Sequence, residues 1–540
     1  MLQESNFIKS IIKEDLAKGK YKTIITRFPP EPNGLLHLGH ARSIIMNFEL
    51  AKIFNGKTYL RYDDTNPTVE KKKYLDFILK DVQWLGYTPD KICFTSDYFD
   101  IIFEKAIILI KKKLAFVDDS SEEELKQKRG DLFRPGENSS CRDRSAEENL
   151  DLFIKMKKGC FKKGTKVLRA KIDMASPNMN LRDPVLYKIM DAYTLKQKHH
   201  FIFPSYDFSH PLSDSIEGIS HSLCSIEFED HRCLYNWVIK ETEMEHIPTQ
   251  IEFGRLNMAR TVLSKTSLKF LVNSHLVNGW DDPRMPTLIG MKNKGYTPES
   301  IKKFILDIGL SKNNSYMNQN MLDSCLREDL QNKSPKIMAV IDPLKVTIIN
   351  YPDDKIESRE IPYHNNLDFL GSRKVFFSKH IYIEKKDFEI EKSDPKSKKF
   401  FLNGEIRLFY FYFIKAIDVI KNNKGEIIEI LATYDPKTKS GSSFNERKPN
   451  GTIHFVEKNT LKKTIINFYQ PLFISENPQD LKEEFNYSSW IQKECFIEGG
   501  LDIKQNYIKF QFIRRGYFYL INITDKIMYF NEIISLKKIK

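Results

Sequence analysis

No run of about 18 consecutive apolar residues occurs in the 540-residue chain, so no membrane-spanning helix is expected. Cysteine is sparse: seven residues, at 93, 141, 160, 224, 233, 325 and 495, odd in number and without a C-x-x-C pair. That excludes a disulfide framework and fits reduced thiols. His221, Cys224, His231 and Cys233 form an H-x-x-C…H-x-C cluster. Its spacing matches no common zinc finger, and no metal site is expected. The first 20 residues alternate charged and apolar side chains, as in a short amphipathic helix. They lack the apolar stretch and small-residue cleavage site of a signal peptide, so a cytoplasmic location is expected. No internal repeat is found.

What is present suits a large enzyme with real cores: 41% hydrophobic and 12% aromatic residues. A chain of this length is too long for one core and should form about three to five units. Lys plus Arg total 85 against 72 Asp plus Glu, a net charge of +13 with a pI near 9.0. That excess suits a polyanionic partner, since each neutralised phosphate releases counterions. The general abundance of Lys, Ile, Asn and Phe supplies a compositional reason too, so charge alone says little about RNA.

The most informative stretch is Pro29-Pro30-Glu31-Pro32-Asn33-Gly34-Leu35-Leu36-His37-Leu38-Gly39-His40. Before it, Thr23 to Phe28 is rich in β-branched and aromatic residues and reads as a strand. After it, Ala41, Ile44, Ile45 and Phe48 recur at i, i+3, i+4, i+7, predicting a helix from about His37. The prolines and Asn33-Gly34 force an irregular turn between the two. A helix N-terminus there offers backbone N–H groups and partial positive charge to phosphate. His37 and His40, three apart, share its first turn and can donate to phosphate oxygens as charge develops. A second stretch, Val262-Leu263-Ser264-Lys265-Thr266-Ser267, puts one lysine on a loop that can close over a triphosphate.

Along the chain, residues 21 to about 97 alternate strand and helix. Lys57 to Tyr62 forms a second strand ending in Asp63-Asp64-Thr65-Asn66-Pro67. Such alternation predicts a parallel sheet, with ligands beyond the carboxyl ends of its strands. Residues 100 to about 205 read as an insertion, with a helix over 101–114, a loop over 129–136 and a strand over 167–172. The parallel sheet is expected to resume at Phe203 to Phe208, followed by a helix over 213–222. Residues 260 to 338 read as mainly helical, with Pro298 opening a helix over 297–308. From about 339, short alternating runs at 345–350, 375–378, 380–384, 426–434 and 451–456 predict all-β barrels. Lysine-rich stretches over 392–399 and 437–448 are expected to be exposed loops.

The histidine string resembles the HIGH signature of class I aminoacyl-tRNA synthetases, and the lysine loop resembles their KMSKS loop. With Pro-Pro-Glu-Pro-Asn-Gly in front, the first looks like the glutaminyl/glutamyl branch. Val262 stands where the family's first lysine would be, a replacement usual in the glutaminyl branch. Further likeness to glutaminyl-tRNA synthetases runs through Asp63 to Pro67, Leu168 to Met174, Tyr206-Asp207-Phe208, Asp214 to Ile219 and Gly279 to Arg284. It covers essentially the whole chain.

That resemblance implies a multidomain α/β plus all-β fold. A Rossmann-type catalytic domain would span 1–100 and 206–260, with an acceptor-stem-binding domain inserted at 101–205. A helical linker domain with the signature loop would span 261–338. A proximal β-barrel would use 339–349 and 460–540, and a distal, anticodon-binding barrel 350–459. The implied reaction joins L-glutamine to tRNA(Gln) through a glutaminyl-adenylate, using ATP with Mg²⁺ and no protein-bound metal, in a monomer.

By the same resemblance His37, His40, Ser264 and Lys265 are catalytic. ATP contacts fall to Glu31, Pro32, Asn33, His37, His40, Ala41, Ser225, Arg255, Leu256, Leu263, Ser264 and Lys265. Glutamine contacts fall to Arg27, Asp63, Tyr206 and Cys224. Asp63 suits the substrate ammonium, Tyr206 adds a hydrogen bond and an apolar wall, and Arg27 orients the side chain. Glutamyl enzymes carry arginine at the position of Cys224. A neutral residue there withholds a partner from a carboxylate and favours the amide. For tRNA, Leu132 resembles the leucine that opens the first base pair, and Asp230 suits a guanine amino group in the acceptor-stem minor groove. Arg327 would support the anticodon-proximal stem, and Arg373, Lys399, Arg407, Gln511 and Arg514 fall at anticodon-binding positions. Phe409 and Glu532 depart from the pattern, each standing in place of a basic residue. Two alternatives stay open. One is an archaeal/eukaryotic-type glutamyl enzyme, against which Cys224 argues. The other is a non-catalytic tRNA-binding paralogue, against which His37, His40 and Lys265 argue.

Overall fold

A computed structural model describes residues 6–392, 394–501 and 508–536. The chain divides into two compact units. The first comprises Met1–Met258, Leu263–Lys265 and Lys302–Met317; the second comprises Ala259–Val262, Thr266–Ile301 and Asn318–Lys540.

In the first unit, helix α1 (Phe7–Ala17) is capped by Asn6, whose side chain accepts from the Lys9 amide. Strand β1 (Ile25–Phe28), helix α2 (Leu38–Ile53), strand β2 (Lys57–Tyr62), helix α3 (Lys73–Trp84) and strand β3 (Lys91–Phe94) follow. The three strands are parallel, in order β1-β2-β3. Their buried positions carry Leu60, Phe28 and Tyr62. The expected apolar stripe of α2 is fully used: Ala41, Ile44 and Ile45 are 0% exposed.

An excursion follows. Helix α4 (Phe99–Lys111), strand β4 (Ala115–Asp118), helix α5 (Glu122–Lys128), helix α6 (Ala146–Lys157) and strands β5 (Val167–Ala170), β6 (Val185–Tyr193) and β7 (His199–Pro204) come in turn. Here the four strands are antiparallel, in order β4-β5-β6-β7. Phe103 and Phe153 stack at 4.7 Å against this sheet's inner face.

The segment after β7 corrects the sequence reading. Phe203 closes β7 of the antiparallel sheet and does not resume the parallel one. Tyr206–Ile216 is a helix, α7, with extended Ser205 at its N-cap. The aromatic run suggested a strand, but Phe208 and Leu212, both 0% exposed, lie four apart on one helical face. The parallel arrangement resumes later, with β8 (His221–Ser225), helix α8 (Arg232–Glu241) and β9 (Thr249–Phe253).

Strand β8 meets β1 through Ser220. Its amide donates to the Ile25 carbonyl (2.9 Å), and its hydroxyl accepts from the Ile25 amide (2.8 Å). The chain therefore runs β1 to β3 on one side and β8 to β9 on the other. The order reverses at β1, the place where open α/β sheets bind ligands.

The second unit is helical at first, including Leu288–Lys294 and Gln319–Gln331, and then all-β. One seven-stranded sheet runs Lys336–Ile337, Lys509–Phe512, Gly516–Thr524, Ile527–Ser535, Lys462–Tyr469, Trp490–Ile497, Ala339–Ile341. The other runs Thr452–Ile453, Glu405–Leu408, Phe413–Lys421, Ile427–Asp435, Pro343–Ile348, His380–Glu384, Val456–Glu457. Each has its own aromatic core, Phe510, Phe512, Phe518 and Phe530 in the first and Phe377, Phe400, Phe411 and Phe455 in the second. Among the described residues no helix is long and apolar enough to cross a membrane.

Candidate active site

The loop from β1 to α2 is tied to the strand ends beside it. The Pro30 carbonyl accepts from the Asp63 amide (3.1 Å) and the Pro32 carbonyl from the Lys71 amide (3.0 Å). His37 is the N-cap of α2, and the two histidines cap the helix reciprocally. His37 Nδ1 accepts from the Gly39 amide (3.1 Å), and His40 Nδ1 accepts from the His37 amide (3.2 Å). Both rings thus carry their proton on Nε2, turned away from the backbone as a donor. The rings lie 3.9 Å apart. Burial, with His40 and Arg255 adding, holds His37 well below its ordinary value of 6.5. Burial and Lys265 bring His40 down to about 4. Both are neutral donors at physiological pH.

Lys265 opens the helix Lys265–Asn273, and its side chain crosses Gly34. A Cβ on residue 34 would stand 2.9 Å from Lys265 Cε and 3.3 Å from Nζ. Lys265 also acts on Glu31, opposing the rise that burial causes in its pKa. Glu31 accepts hydrogen bonds from the Asn33 and Asn66 side chains. Ala41 is buried on α2. Ser225 ends β8, and its hydroxyl is buried without a hydrogen-bond partner. Arg255 pairs with Glu227 (2.7 Å) while acting on His37. Leu256 is buried at the start of a short strand, β10 (Leu256–Met258), paired in parallel with β11 (Ser315–Met317). The structure therefore gathers Glu31, Gly34, His37, His40, Arg255 and Lys265 at the carboxyl end of β1.

Asp63 lies just past the end of β2 and is 8% exposed. Burial raises its pKa to about 6, against a hydrogen bond from Thr65 (2.9 Å). A recess beside it is lined by Tyr206, His210, Cys224, Phe228, Tyr235 and Gln250. Arg27, 1% exposed, lies against its Cys224 wall. Arg27 donates from Nε to Asp214 (3.0 Å), from Nη1 to the Leu223 carbonyl (2.9 Å) and from Nη2 to Ser222 (2.7 Å) and Cys224 Sγ (3.5 Å). Burial raises the Cys224 thiol, so it is neutral.

Sequence reading missed the network behind this wall. Arg61 donates to Asp214 (2.7 Å) and Glu217 (2.9 Å), and Tyr235 donates to Asp214 (3.0 Å). His210 lies between the guanidiniums, Nε2 at 2.9 Å from Arg27 and Nδ1 at 3.1 Å from Arg61. Burial keeps it neutral, with a pKa of about 3. Two buried arginines face two buried carboxylates, so the charges balance. The available signal was spacing: Tyr206, His210 and Asp214 are four apart, one face of α7. The strand expected over 203–208 hides it, by placing Tyr206 off the helix that carries His210 and Asp214.

The would-be zinc cluster is divided among other partners. His221 contacts Ser220 and Asp15, His231 pairs with Asp207 (2.7 Å), and Cys233 is exposed. Among the described residues no group of three or more His, Cys, Asp or Glu could hold a metal ion.

The expected RNA contacts are dispersed within their units. In the first, Leu132 is 77% exposed on the loop after α5, and Asp230 is exposed, its carbonyl accepting from Asn178 (2.7 Å). In the second, Arg327 donates to the Ser535 carbonyl (2.8 Å), and Arg407 covers the Phe413 ring at 4.2 Å. Lys399 lies 3.7 Å from Glu389, Gln511 is in strand Lys509–Phe512, and Arg514 pairs with Asp387 (2.6 Å). Arg373 differs from the rest: it is 3% exposed and bonded to Glu498 and the Pro362 carbonyl (2.9 Å). Phe409 packs half-buried on its barrel core, and burial raises the Glu532 carboxyl.

Comparison with known proteins gives the family. Residues 23–332 match the catalytic domain of the class I (E and Q) tRNA synthetases. Residues 334–435 and 452–521 match anticodon-binding domains of the same class. The chain is 49% identical to a glutamine–tRNA ligase of Clostridium perfringens, over 99% of this chain and 98% of the relative. It is 48% identical to that of Clostridium kluyveri, over 99% and 97%. To that of Bradyrhizobium diazoefficiens it is 46% identical, over 95% and 93%. With end-to-end matches at such identity, the chain belongs to the glutaminyl-tRNA synthetase family of class I aminoacyl-tRNA synthetases.

Proposed function

We propose that the chain attaches L-glutamine to tRNA(Gln) with ATP, through a glutaminyl-adenylate, giving Gln-tRNA(Gln), AMP and diphosphate. The observation that carries this is the meeting of His37 with His40, and of His40 with Lys265, whose side chain crosses Gly34, at the carboxyl end of β1. The glutamine carboxylate attacks the α-phosphorus of ATP. One P–O bond forms, the bond to the bridging oxygen breaks, and diphosphate leaves with the electron pair. The Nε2–H groups of His37 and His40 donate to the phosphate as negative charge builds, and Lys265 neutralises the departing diphosphate. Then a ribose hydroxyl of the terminal tRNA adenosine attacks the acyl carbon: the new C–O bond forms, the acyl C–O bond to phosphate breaks, and AMP leaves with the electron pair while a phosphate oxygen takes the hydroxyl proton.

Asp63 holds the glutamine ammonium, whose charge favours the ionised carboxylate despite burial. The recess beside Tyr206 and Cys224 takes the side chain. Arg27 shapes that recess by holding β8, because its donors already face Asp214, Ser222 and Leu223. Cys224 is neutral, and the Arg27–Arg61 pair is balanced by Asp214 and Glu217. An entering glutamate carboxylate meets no unpaired cation, so the amide is favoured. Mg²⁺ would accompany ATP and supply charge that offsets that of the phosphates during attack.

The excursion over 101–205 binds the acceptor stem, with Leu132 opening the first base pair and Asp230 reading the groove. The helical segment 261–338 links to the barrels, whose expected boundary moves. Only 339–341 joins the strands after 460, while Pro343–Ile348 pairs with His380–Glu384 and Ile427–Asp435 and so belongs with the strands up to 457. The barrels read the anticodon through Lys399, Arg407, Gln511 and Arg514, with Arg327 on the adjoining stem and Phe409 as a stacking surface. Arg373 takes part only by exchanging Glu498 for a phosphate. The active species is a cytoplasmic monomer.

The test is charging of purified tRNA with labelled glutamine and glutamate side by side. Glutamine charging well above glutamate is expected. Preferential glutamate charging would assign a glutamyl enzyme, and tRNA binding without charging a non-catalytic paralogue.

A further inference from the structure

The turn after α5, residues 129–136, holds two apolar side chains in water. Leu132 is 77% exposed and Phe133 is 95% exposed, more than any other large apolar side chain among the described residues. The backbone beneath them is firmly tied. The Asp131 carboxylate accepts from the Phe133 amide (2.8 Å), the Arg134 amide (2.9 Å) and the Arg134 guanidinium (2.7 Å). From below, the buried Arg182 donates to the carbonyls of Arg129 (3.0 Å), Asp131 (2.9 Å) and Arg134 (2.9 Å). Gly130 has φ +71°, and a Cβ there would meet the Arg134 carbonyl oxygen at 2.5 Å. So the tip is preorganised to present a ring to something outside the unit, and it loses little freedom on binding.

We infer that Phe133 is a base-stacking residue, whose ring receives a nucleobase uncovered at the end of the tRNA acceptor stem. This rests on the proposed reading of Leu132 as the side chain that opens the first base pair. An opened pair leaves a base face that must find a new partner, and an aromatic ring supplies one whatever the base. The surroundings fit a polyanion. Lys126, Lys128 and Arg129 lead into the tip, while the acidic Glu122 to Glu124 sit at the far end of α5. A second copy of the chain is a poorer occupant, because two apolar side chains fall far short of the roughly 1,000 Å² a stable interface buries.

The experiment uses the full chain and an acceptor-stem minihelix with 2-aminopurine in the first base pair. Affinity and fluorescence are followed across salt concentrations for the wild type, Phe133→Ala, Phe133→Leu and Phe133→Trp. The Ala variant should bind about tenfold more weakly, as loss of one base–aromatic stack does. It should also lose the quenching of the probe, with an unchanged salt slope because no phosphate contact goes. Leu should be intermediate and Trp close to wild type. As the ring is exposed, thermal unfolding of the Ala variant should match the wild type. Wild-type affinity and quenching in Phe133→Ala, while the wild type charges glutamine, would overturn the stacking role alone. Failure of the wild type to bind the minihelix would overturn the acceptor-stem reading with it. Loss of self-association in Phe133→Ala, with RNA binding intact, would assign the tip to a second copy and overturn the proposal.

Discussion

Lys265 lies across Gly34 so closely that a methyl group on residue 34 would stand 2.9 Å from its Cε. Gly34→Ala must therefore push the lysine away. The displaced atoms belong to the far end of a flexible side chain, so the fold should bear the change easily. The consequence should appear in chemistry. Single-turnover adenylate formation is expected to slow, approaching the loss in Lys265→Ala, for which removal of one transition-state donor predicts about 10²–10³. Glutamine binding and thermal stability should stay near wild type. A Gly34→Ala enzyme with normal activation would show that Lys265 works from another position.

The pH dependence should reflect Asp63 and leave the two histidines silent. Burial holds the Asp63 carboxyl at about 6, and only its ionised form, dominant above that pH, can hold the substrate ammonium. Accordingly kcat/KM for glutamine, which reports the free enzyme, should rise with pH through about 6 and then level. His40, at about 4, and His37, well below 6.5, are neutral on both sides of that break. Glu70, raised by burial to about 8, keeps its proton through it. Asp63→Asn should lower kcat/KM and abolish the break. Survival of the break in that variant would assign it to Asp64, also near 6 and bonded to Ser96.

Much of this arrangement was legible because it is local. The strand before Pro29, the helix after His37 and the strand before Asp63 each announce themselves by periodicity within about ten residues. The alternating runs beyond residue 339 do so as well, as at His380–Glu384. What stayed hidden is what distant segments decide. Arg27, Arg61, Asp214 and Glu217 look like scattered charges until β1, β2 and α7 bring them together. Likewise nothing local reveals that Lys336–Ile337 pairs with a strand near residue 511. The misread run 203–208 shows propensity losing to packing: Phe203 ends a strand, and Phe208 faces inward from a helix.

Asp214 should be the costliest carboxylate to lose. It is 0% exposed and accepts from Arg27, Arg61 and Tyr235. Although burial opposes ionisation, the buried guanidiniums of Arg27 and Arg61 hold its carboxyl far below the usual range. Asp214→Asn leaves two buried guanidiniums facing Glu217 alone. Breaking a buried pair in this way costs about 3–5 kcal/mol. Denaturant unfolding, followed by a probe in the first unit, should show a loss of that order. An unchanged midpoint would mean that water reaches the network and already screens it.

Cys224→Arg should move the amino-acid preference toward glutamate while weakening the enzyme. Cys224 is 8% exposed and its sulfur lies 3.5 Å from Arg27 Nη2. A guanidinium introduced there would join Arg27 and Arg61 with no added carboxylate, so the balanced cluster would gain an unpaired positive charge. A glutamate side chain could neutralise it, whereas the glutamine amide could not. The added side chain is also far larger than the thiol it replaces, and overpacking of a filled site carries its own penalty. A modest gain for glutamate and a large loss for glutamine are therefore expected, with thermal stability lowered in the absence of substrate. Comparison of kcat/KM for both amino acids with the same tRNA decides the point. If the ratio is unchanged, Cys224 is a packing residue and selectivity lies elsewhere along the recess, with Tyr206 and the Arg27-held backbone of β8 the next positions to test.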